Sequence, residues 1–128
     1  MAKKQTKKAN IENEKICAIL SYLLIGIVWY FVDEKMKKSS LAKYHVKQGL
    51  VLLIASIIYS LILSVILRIL LLPFYITGGM IGGFGLIGLF SLLNYVPLIW
   101  TIIGIVNAAN DKEKPLPLIG KWSEKFSF

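Results

Sequence analysis

The side chains that could carry out chemistry are few in this sequence, and they are widely separated. His45 is the single histidine, and it has no cysteine or carboxylate neighbour at the spacings that a zinc site requires. Cys17 is the single cysteine, so no disulfide can form within the chain. All seven carboxylates lie outside the long apolar segments, whereas proton-coupled transporters usually carry an ionisable group inside the membrane. We therefore predict that the protein is not an enzyme and has no catalytic residue, no metal site and no cofactor.

One glycine pattern matches a nucleotide-binding motif in its letters but not in its context. Residues 83–88 read Gly-x-Gly-x-x-Gly. In dinucleotide-binding proteins this pattern follows a β-strand and is followed by an acidic residue about 20 positions later. The residues around this copy are apolar, and the next acidic residue is Asp111. The match is interpreted as a coincidence, and it predicts no dinucleotide site.

The distribution of charge indicates the class of protein. Hydrophobic residues make up 56% of the chain and charged residues only 17%, compared with about 25% charged residues in a typical soluble domain. No charged residue lies between Lys15 and Asp33, between Lys47 and Arg68, or between Arg68 and Asp111. Such gaps exclude a water-soluble globular protein. They predict an all-α integral membrane protein whose main partner is the lipid bilayer.

We expect three transmembrane helices, at about residues 16–32, 48–72 and 86–109. The second is the clearest, because about 31 Å of helix would separate Lys47 from Arg68, which matches the core of one bilayer. A short amphipathic helix on the membrane surface is expected just before it.

The segment that follows the second span has two interpretations. Residues 73–85 are rich in glycine and uncharged, which predicts an interfacial loop or a re-entrant turn, with Pro73 ending the second helix. In the alternative, residues 74–109 form two short spans broken near residues 94–97, which gives four spans in total. In either case residues 16–110 form the membrane domain, and they are flanked by a flexible basic tail and a polar C-terminal tail (residues 1–15 and 111–128).

The lysines predict how the protein sits in the cell membrane. With three spans, residues 33–48 and the C-terminal tail share one side and carry nine lysines, whereas the other side carries six cations including Arg68. The positive-inside rule then predicts a multi-pass protein with a cytoplasmic C-terminus and an external N-terminus. Four spans would put both ends inside. The lysines flank apolar segments, so we expect anionic lipids as their partners, and no nucleic acid.

Small and polar residues recur at intervals of three, four or seven on the second and third spans. Residues at such intervals share one helix face, and small residues let helices approach closely in a membrane. They predict a helix-packing seam within the chain, in a homo-oligomer or with a membrane protein partner; a polar pathway is the alternative. The seam consists of Gly49, Ser56, Ser60, Ser64, Asn94, Thr101, Gly104 and Ala108.

Two segments resemble the signatures of a known family. The first is residues 40–50, at the entry to the second span, and it includes Tyr44, His45, Lys47, Gln48 and Gly49. Around it, five lysines form a predicted inner collar: Lys35, Lys37, Lys38, Lys43 and Lys47. The second follows the third span: Asn107, Lys114, Pro115, Leu116, Pro117 and Leu118. Both are similar to motifs of the twenty-kilodalton Tic subunit, a chloroplast inner-envelope import component, and of its small prokaryotic membrane relatives.

This resemblance implies a function as well as a fold. It implies that the three spans correspond to the last three of the four spans in the plant protein, with residues 33–48 and the C-terminus on the inner side. It also implies a non-enzymatic component of a membrane assembly or of a protein translocation apparatus. A small oligomeric channel or transporter is the alternative.

Overall fold

Helices account for 81% of the chain, and the described residues include no β-strand, which confirms the all-α class. The computed structural model describes the backbone of residues 1–128 and every side chain except that of Met80. The helices are α1 (Ala2–Ser21), α2 (Ile25–Val32), α3 (Glu34–Lys37), α4 (Ser40–Thr77), α5 (Met80–Leu93) and α6 (Val96–Ala109), followed by a 3₁₀ helix (Gly120–Lys125). Residues 1–15, expected to be a flexible tail, are therefore helical from Ala2 onward.

The longest helix, α4, has a clear cap at each end. Ser39 precedes it, and its hydroxyl oxygen accepts a hydrogen bond from the Ala42 amide at 3.2 Å. Gly78 ends it with a φ of 71°, a backbone conformation that favours glycine. Pro73 lies inside the helix rather than at its end. The expected stop is wrong because proline removes a single backbone hydrogen bond, whereas unwinding in an apolar environment would leave several groups unpaired.

The chain reverses at residues 78–79 and returns through α5 and α6. Only these two residues are non-helical in the segment 73–85, so the expected glycine-rich loop is wrong. A turn at residues 94–95 separates α5 from α6, and Pro97 occupies the first turn of α6 instead of kinking a longer helix. The returning helix α5 is held to α4 by the Tyr59 hydroxyl, which donates a hydrogen bond to the Leu93 carbonyl at 2.8 Å.

Two helical segments are long and apolar enough to cross a membrane: Ser40–Thr77 and Ile81–Ala109. They are candidates for two of the membrane helices expected from the sequence. The three spans are not confirmed, because the first predicted span, residues 16–32, is not a single helix. It is divided by a turn at residues 22–24, in which Leu24 has a φ of 69°.

The divided segment forms a short helical hairpin. The backbone of α1 lies so close to Gly26 that a Cβ atom there would overlap the Cys17 carbonyl oxygen and the Ser21 amide. Further from the turn, Cys17 packs with Tyr30 in a buried cluster. Because these contacts pair residues at increasing distance on both sides of the turn, α2 runs back along α1.

Both ends of the chain lie at the same end of the molecule. The Lys15 Nζ atom is 2.9 Å from a carboxylate oxygen of Asp111, which follows α6. The Ser39 hydroxyl donates a hydrogen bond to the Glu14 carboxylate at 2.9 Å, which joins α1 to the beginning of α4. The N-terminal and C-terminal segments therefore lie together, and not at opposite ends as the three-span prediction required.

The molecule consequently has two parts, which we call the base (residues 1–53 and 104–128) and the hairpin (residues 54–103). The base contains most of the buried core, in which α1, α4, α6 and the C-terminal segment meet. In the hairpin, α4 packs on α5 and α6, and most of the large apolar side chains are exposed.

Candidate functional site

The centre of the base is a polar cluster built around Gln48, whose side chain is fully buried. Its Nε2 group donates hydrogen bonds to the Gly120 carbonyl at 3.1 Å and to the Ser123 hydroxyl at 2.8 Å. Its Oε1 atom accepts a hydrogen bond from the Leu116 amide at 3.2 Å. Gln48 therefore joins the two motifs that the sequence analysis selected, although they are about 70 residues apart in the chain.

His45 lies one turn earlier on α4 and is also fully buried. Its Nδ1 atom shares a hydrogen bond of 2.8 Å with the Tyr22 hydroxyl, and the two rings meet edge to face with centroids 5.7 Å apart. Among the described residues, the Nε2 atom has no hydrogen-bond partner, and no group of three histidine, cysteine or acidic side chains could hold a metal ion. The contact between His45 and Tyr22 connects α4 to the C-terminal end of α1.

Two glycines of the predicted seam let α1 enter the groove between α4 and α6. A Cβ atom at Gly49 would lie 2.5 Å from the Ser21 carbonyl oxygen, and one at Gly104 would overlap the Tyr22 ring. Ala108 is fully buried beside them. These three seam residues therefore contact α1, which the sequence analysis had not placed at this site.

The other seam residues lie in the hairpin, and four of them donate hydrogen bonds to carbonyls of their own helix. Ser64 donates to the Leu61 carbonyl at 2.8 Å, and Thr101 donates to the Pro97 carbonyl at 2.9 Å. The same pattern holds for Ser56 with Leu52 and for Asn94 with Phe90. Ser60 and Ser64 are exposed. The polar pathway gains no support from these four groups, since each already donates a hydrogen bond within one helix.

The collar lysines surround the start of α4. Lys35, Lys37 and Lys38 are exposed, whereas Lys43 and Lys47 are half-buried. The Nζ atom of Lys47 lies 5.3 Å from the centroid of the Phe128 ring, within the range of a cation–π contact.

The second predicted motif is partly buried. Leu116 is only 2% exposed, whereas Leu118 is 87% exposed with a φ of 69°. Lys114, Pro115 and Pro117 are exposed. The Asn107 carbonyl accepts a hydrogen bond from the Lys112 amide at 2.9 Å, so this residue marks the end of α6.

Cys17 is an unreactive member of the core of the base. Its side chain is fully buried, and its sulfur donates a hydrogen bond to the Gly26 carbonyl at 3.4 Å. Burial, with a smaller contribution from the charge of Asp33, raises the pKa of the thiol to about 11. Burial also raises the pKa of the Tyr22 phenol above its usual range. Both groups therefore stay neutral at physiological pH.

A family model for the magnetosome magnetite crystal formation proteins (MamF/MmsF) matches residues 13–123 of the chain. The match begins in α1 and ends at Ser123, so it covers most of the base and all of the hairpin. No curated protein and no solved structure gives a significant match to the chain.

The assignment to the chloroplast import-component family is therefore wrong. Both segments on which it rested lie within the residues that match the magnetosome family. Lysine, glutamine and glycine occur where a helix leaves a polar surface. This explains why such short motifs gave a misleading resemblance to the import-component family. The expected role in protein translocation rested on that resemblance and is abandoned with it.

Proposed function

Because the chain belongs to the magnetosome magnetite crystal formation protein family, we propose that it is a non-enzymatic membrane component of the magnetosome. In this role it acts through its contacts with lipid and with other membrane proteins, and not through catalysis. Its effect on magnetite is indirect, since it shapes or organises the membrane around the crystal.

The observation that carries this proposal is the separation of charge in the molecule. All fourteen lysines and all seven acidic residues belong to the base, and Arg68 is the single charged residue of the hairpin. A protein that displays its charges at one end and apolar side chains along the other is built for a membrane. The absence of carboxylates from the hairpin also argues against direct binding of iron there, since hard cations prefer oxygen ligands.

The dimensions of the hairpin agree with a bilayer. Exposed apolar side chains on α4 extend from Ile54, 45% exposed, to Ile76, 76% exposed. This distance is about 33 Å along a helix, compared with about 30 Å for the hydrocarbon core. We infer two membrane spans, α4 and α5–α6, with Arg68 extending its side chain towards the far surface.

The orientation follows from the same separation. With two spans, every lysine lies on one side of the membrane, and the positive-inside rule makes that side the cytoplasm. Both termini are then cytoplasmic, which keeps the C-terminal prediction and replaces the external N-terminus of the three-span arrangement.

Two surfaces serve assembly in this proposal. The collar lysines bind anionic head groups, where each cation near the surface contributes about 1 kcal/mol. On α4, Ser60 and Ser64 offer a narrow polar face to the helix of a second copy or of another membrane protein.

The test uses a magnetite-forming bacterium from which its own family member has been deleted. The full chain carrying a fluorescent tag should localise with the magnetosomes and restore the size distribution of the crystals, measured by electron microscopy. A Lys37→Gln/Lys38→Gln/Lys43→Gln variant should insert normally but restore less, while Lys3→Gln/Lys4→Gln/Lys7→Gln is the control with the same charge change. A tagged protein in the soluble fraction, or crystals that do not change, would contradict the proposal.

A further inference from the structure

The α1–α2 hairpin is apolar, but it is too short to cross a bilayer. α2 has eight residues, which extend about 12 Å, less than half of the hydrocarbon core of about 30 Å. Two acidic residues flank the apolar part of the α1–α2 hairpin, Glu14 and Asp33, and both belong to the base. The Ser39 hydroxyl, shortly after α2, donates a hydrogen bond to Glu14. The chain therefore leaves the polar end of the molecule and returns to it.

The turn of this hairpin points in the direction of the membrane spans. Lys15 on α1 contacts Asp111 after α6, whereas Tyr22, two turns later, contacts Gly104 on α6. Along α4, Glu14 of α1 pairs with Ser39 before the helix, and Ser21 of α1 lies against Gly49. α1 thus runs parallel to α4 and antiparallel to α6. The turn at residues 22–24 therefore lies about 10 Å closer than Lys15 to the hairpin of residues 54–103.

The side chains around the turn are apolar and exposed. Leu23 is 52% exposed, Ile25 62% and Val28 65%, so the described chain leaves more than half of each side chain uncovered. They are followed at the polar end by three exposed lysines, Lys35, Lys37 and Lys38. An apolar tip backed by cations is complementary to a lipid monolayer, in which acyl chains lie beneath anionic head groups.

We propose that the α1–α2 hairpin is a wedge at the head-group boundary of the leaflet next to the base, where lipid acyl chains cover its tip. The wedge gives the protein an asymmetric cross-section, because four helical segments (α1, α2, α4 and α6) lie at that boundary, whereas two (α4 and α5) lie at the opposite surface. A molecule that is wider in one leaflet favours a membrane that is convex on that side. The protein therefore concentrates on strongly curved membranes with its base on the convex face.

This inference rests on the proposed membrane role, and its first test separates the two. Spin labels are attached at Leu61→Cys on α4, at Ile25→Cys on the wedge and at Lys121→Cys in the base, each in a Cys17→Ser chain reconstituted in vesicles. Accessibility to oxygen and to a polar nickel reagent measures depth. Leu61 should lie in hydrocarbon, Ile25 at the boundary between head groups and acyl chains, and Lys121 in water.

The labels at Leu61 and Ile25 test the membrane role and the wedge separately. A water-exposed label at Leu61 would contradict the membrane role itself. A water-exposed label at Ile25, with Leu61 in hydrocarbon, would overturn the wedge alone. A label at Ile25 in the bilayer centre, with Lys35→Cys on the side opposite Lys121, would also overturn it, because the segment would then cross the membrane.

The second test measures curvature preference directly. Fluorescent full-length protein is reconstituted in giant vesicles with its base outward, and narrow tubes are pulled from them. The ratio of protein density on the tube to density on the flat membrane should exceed one, because binding by shallow insertion is sensitive to curvature. Leu23→Ser/Ile25→Ser/Val28→Ser should bring the ratio to one, whereas Leu118→Ser, which removes an exposed apolar side chain outside the wedge, should leave it unchanged. Equal sorting of the wedge variant and the wild type, with Cys17 still protected from thiol reagents in both, would overturn the proposal.

Discussion

At the scale of single residues, Gln48 has the largest structural role. One amide side chain satisfies two acceptors and one donor of the C-terminal segment in a site that water does not reach. The sequence identified Gln48 as part of a motif but not its partners, since no local pattern relates a helix start to a segment 68 residues later.

Replacement of this amide by an apolar group of similar size should destabilise the base. Gln48→Leu leaves the buried Leu116 amide without a partner, at about 1–3 kcal/mol, whereas the Gly120 carbonyl still accepts a hydrogen bond from the Ser123 hydroxyl at 2.7 Å. The free energy of unfolding in detergent should fall accordingly, measured by the loss of Cys17 protection with temperature. Gln5→Leu makes the same change on the exposed part of α1 and should have no effect; equal stability of both variants would contradict the assigned role.

The buried thiol gives a second prediction, because its pKa is raised from 9.0 to about 11. The fraction of thiolate falls about tenfold for each unit of pKa, so Cys17 should react with a maleimide at pH 8 about 100 times more slowly than a free thiol, and burial slows it further. Because the pKa of the thiol is higher in the folded state, folding favours the neutral thiol. This contribution to the free energy of unfolding is fully present below pH 9 and is lost as the pH rises to about 11. Leu118→Cys in a Cys17→Ser chain is the exposed control, and similar rates at the two sites would disprove the burial.

At the scale of elements, the sequence predicted α4 well and the segment before it poorly. The uncharged segment between Lys47 and Arg68 predicts a long apolar helix, because this prediction depends on hydropathy alone. The break at residues 22–24 depends on the close approach of α2 to α1 at Gly26, which periodicity does not encode. Likewise the glycines at 82–85 suggest a loop in water, but an apolar environment makes backbone hydrogen bonding decisive, so the segment is helical.

The close approach at Gly26 is itself testable. Gly26→Ala adds a Cβ atom that overlaps backbone atoms of Cys17 and Ser21, so α1 and α2 must separate and the midpoint of thermal unfolding should fall by several degrees. Gly85→Ala lies on α5 with nothing within 4 Å of the new atom. It should be neutral or slightly stabilising, because alanine favours helix more than glycine does by about 1 kcal/mol. An equal response of the two variants would show that α1 and α2 are not in contact.

At the scale of the whole molecule, the proposed two spans and shared base give a topology that differs from the three-span prediction at the N-terminus. Single cysteines at Gln5→Cys, Ser40→Cys and Lys121→Cys, all at exposed positions and with Cys17→Ser, should be protected from an impermeant thiol reagent in intact cells. Gly79→Cys, between α4 and α5, should be labelled. Labelling of Gln5→Cys together with protection of Lys121→Cys would restore the three-span arrangement, since those two positions lie on the same side only when the number of spans is even.

The bonds from Gln48 to residues 116–123 also set an order of events during synthesis. Both spans and the whole of α1 leave the ribosome before Ser123 does, so the hairpin can enter the membrane while its base is incomplete. Until residues 116–123 are translated, the buried amide of Gln48 lacks these partners and the cleft that they fill is open. A nascent chain that stalls before this point therefore has an incomplete base, which makes the base a substrate for chaperones and proteases in a way that the closed base is not.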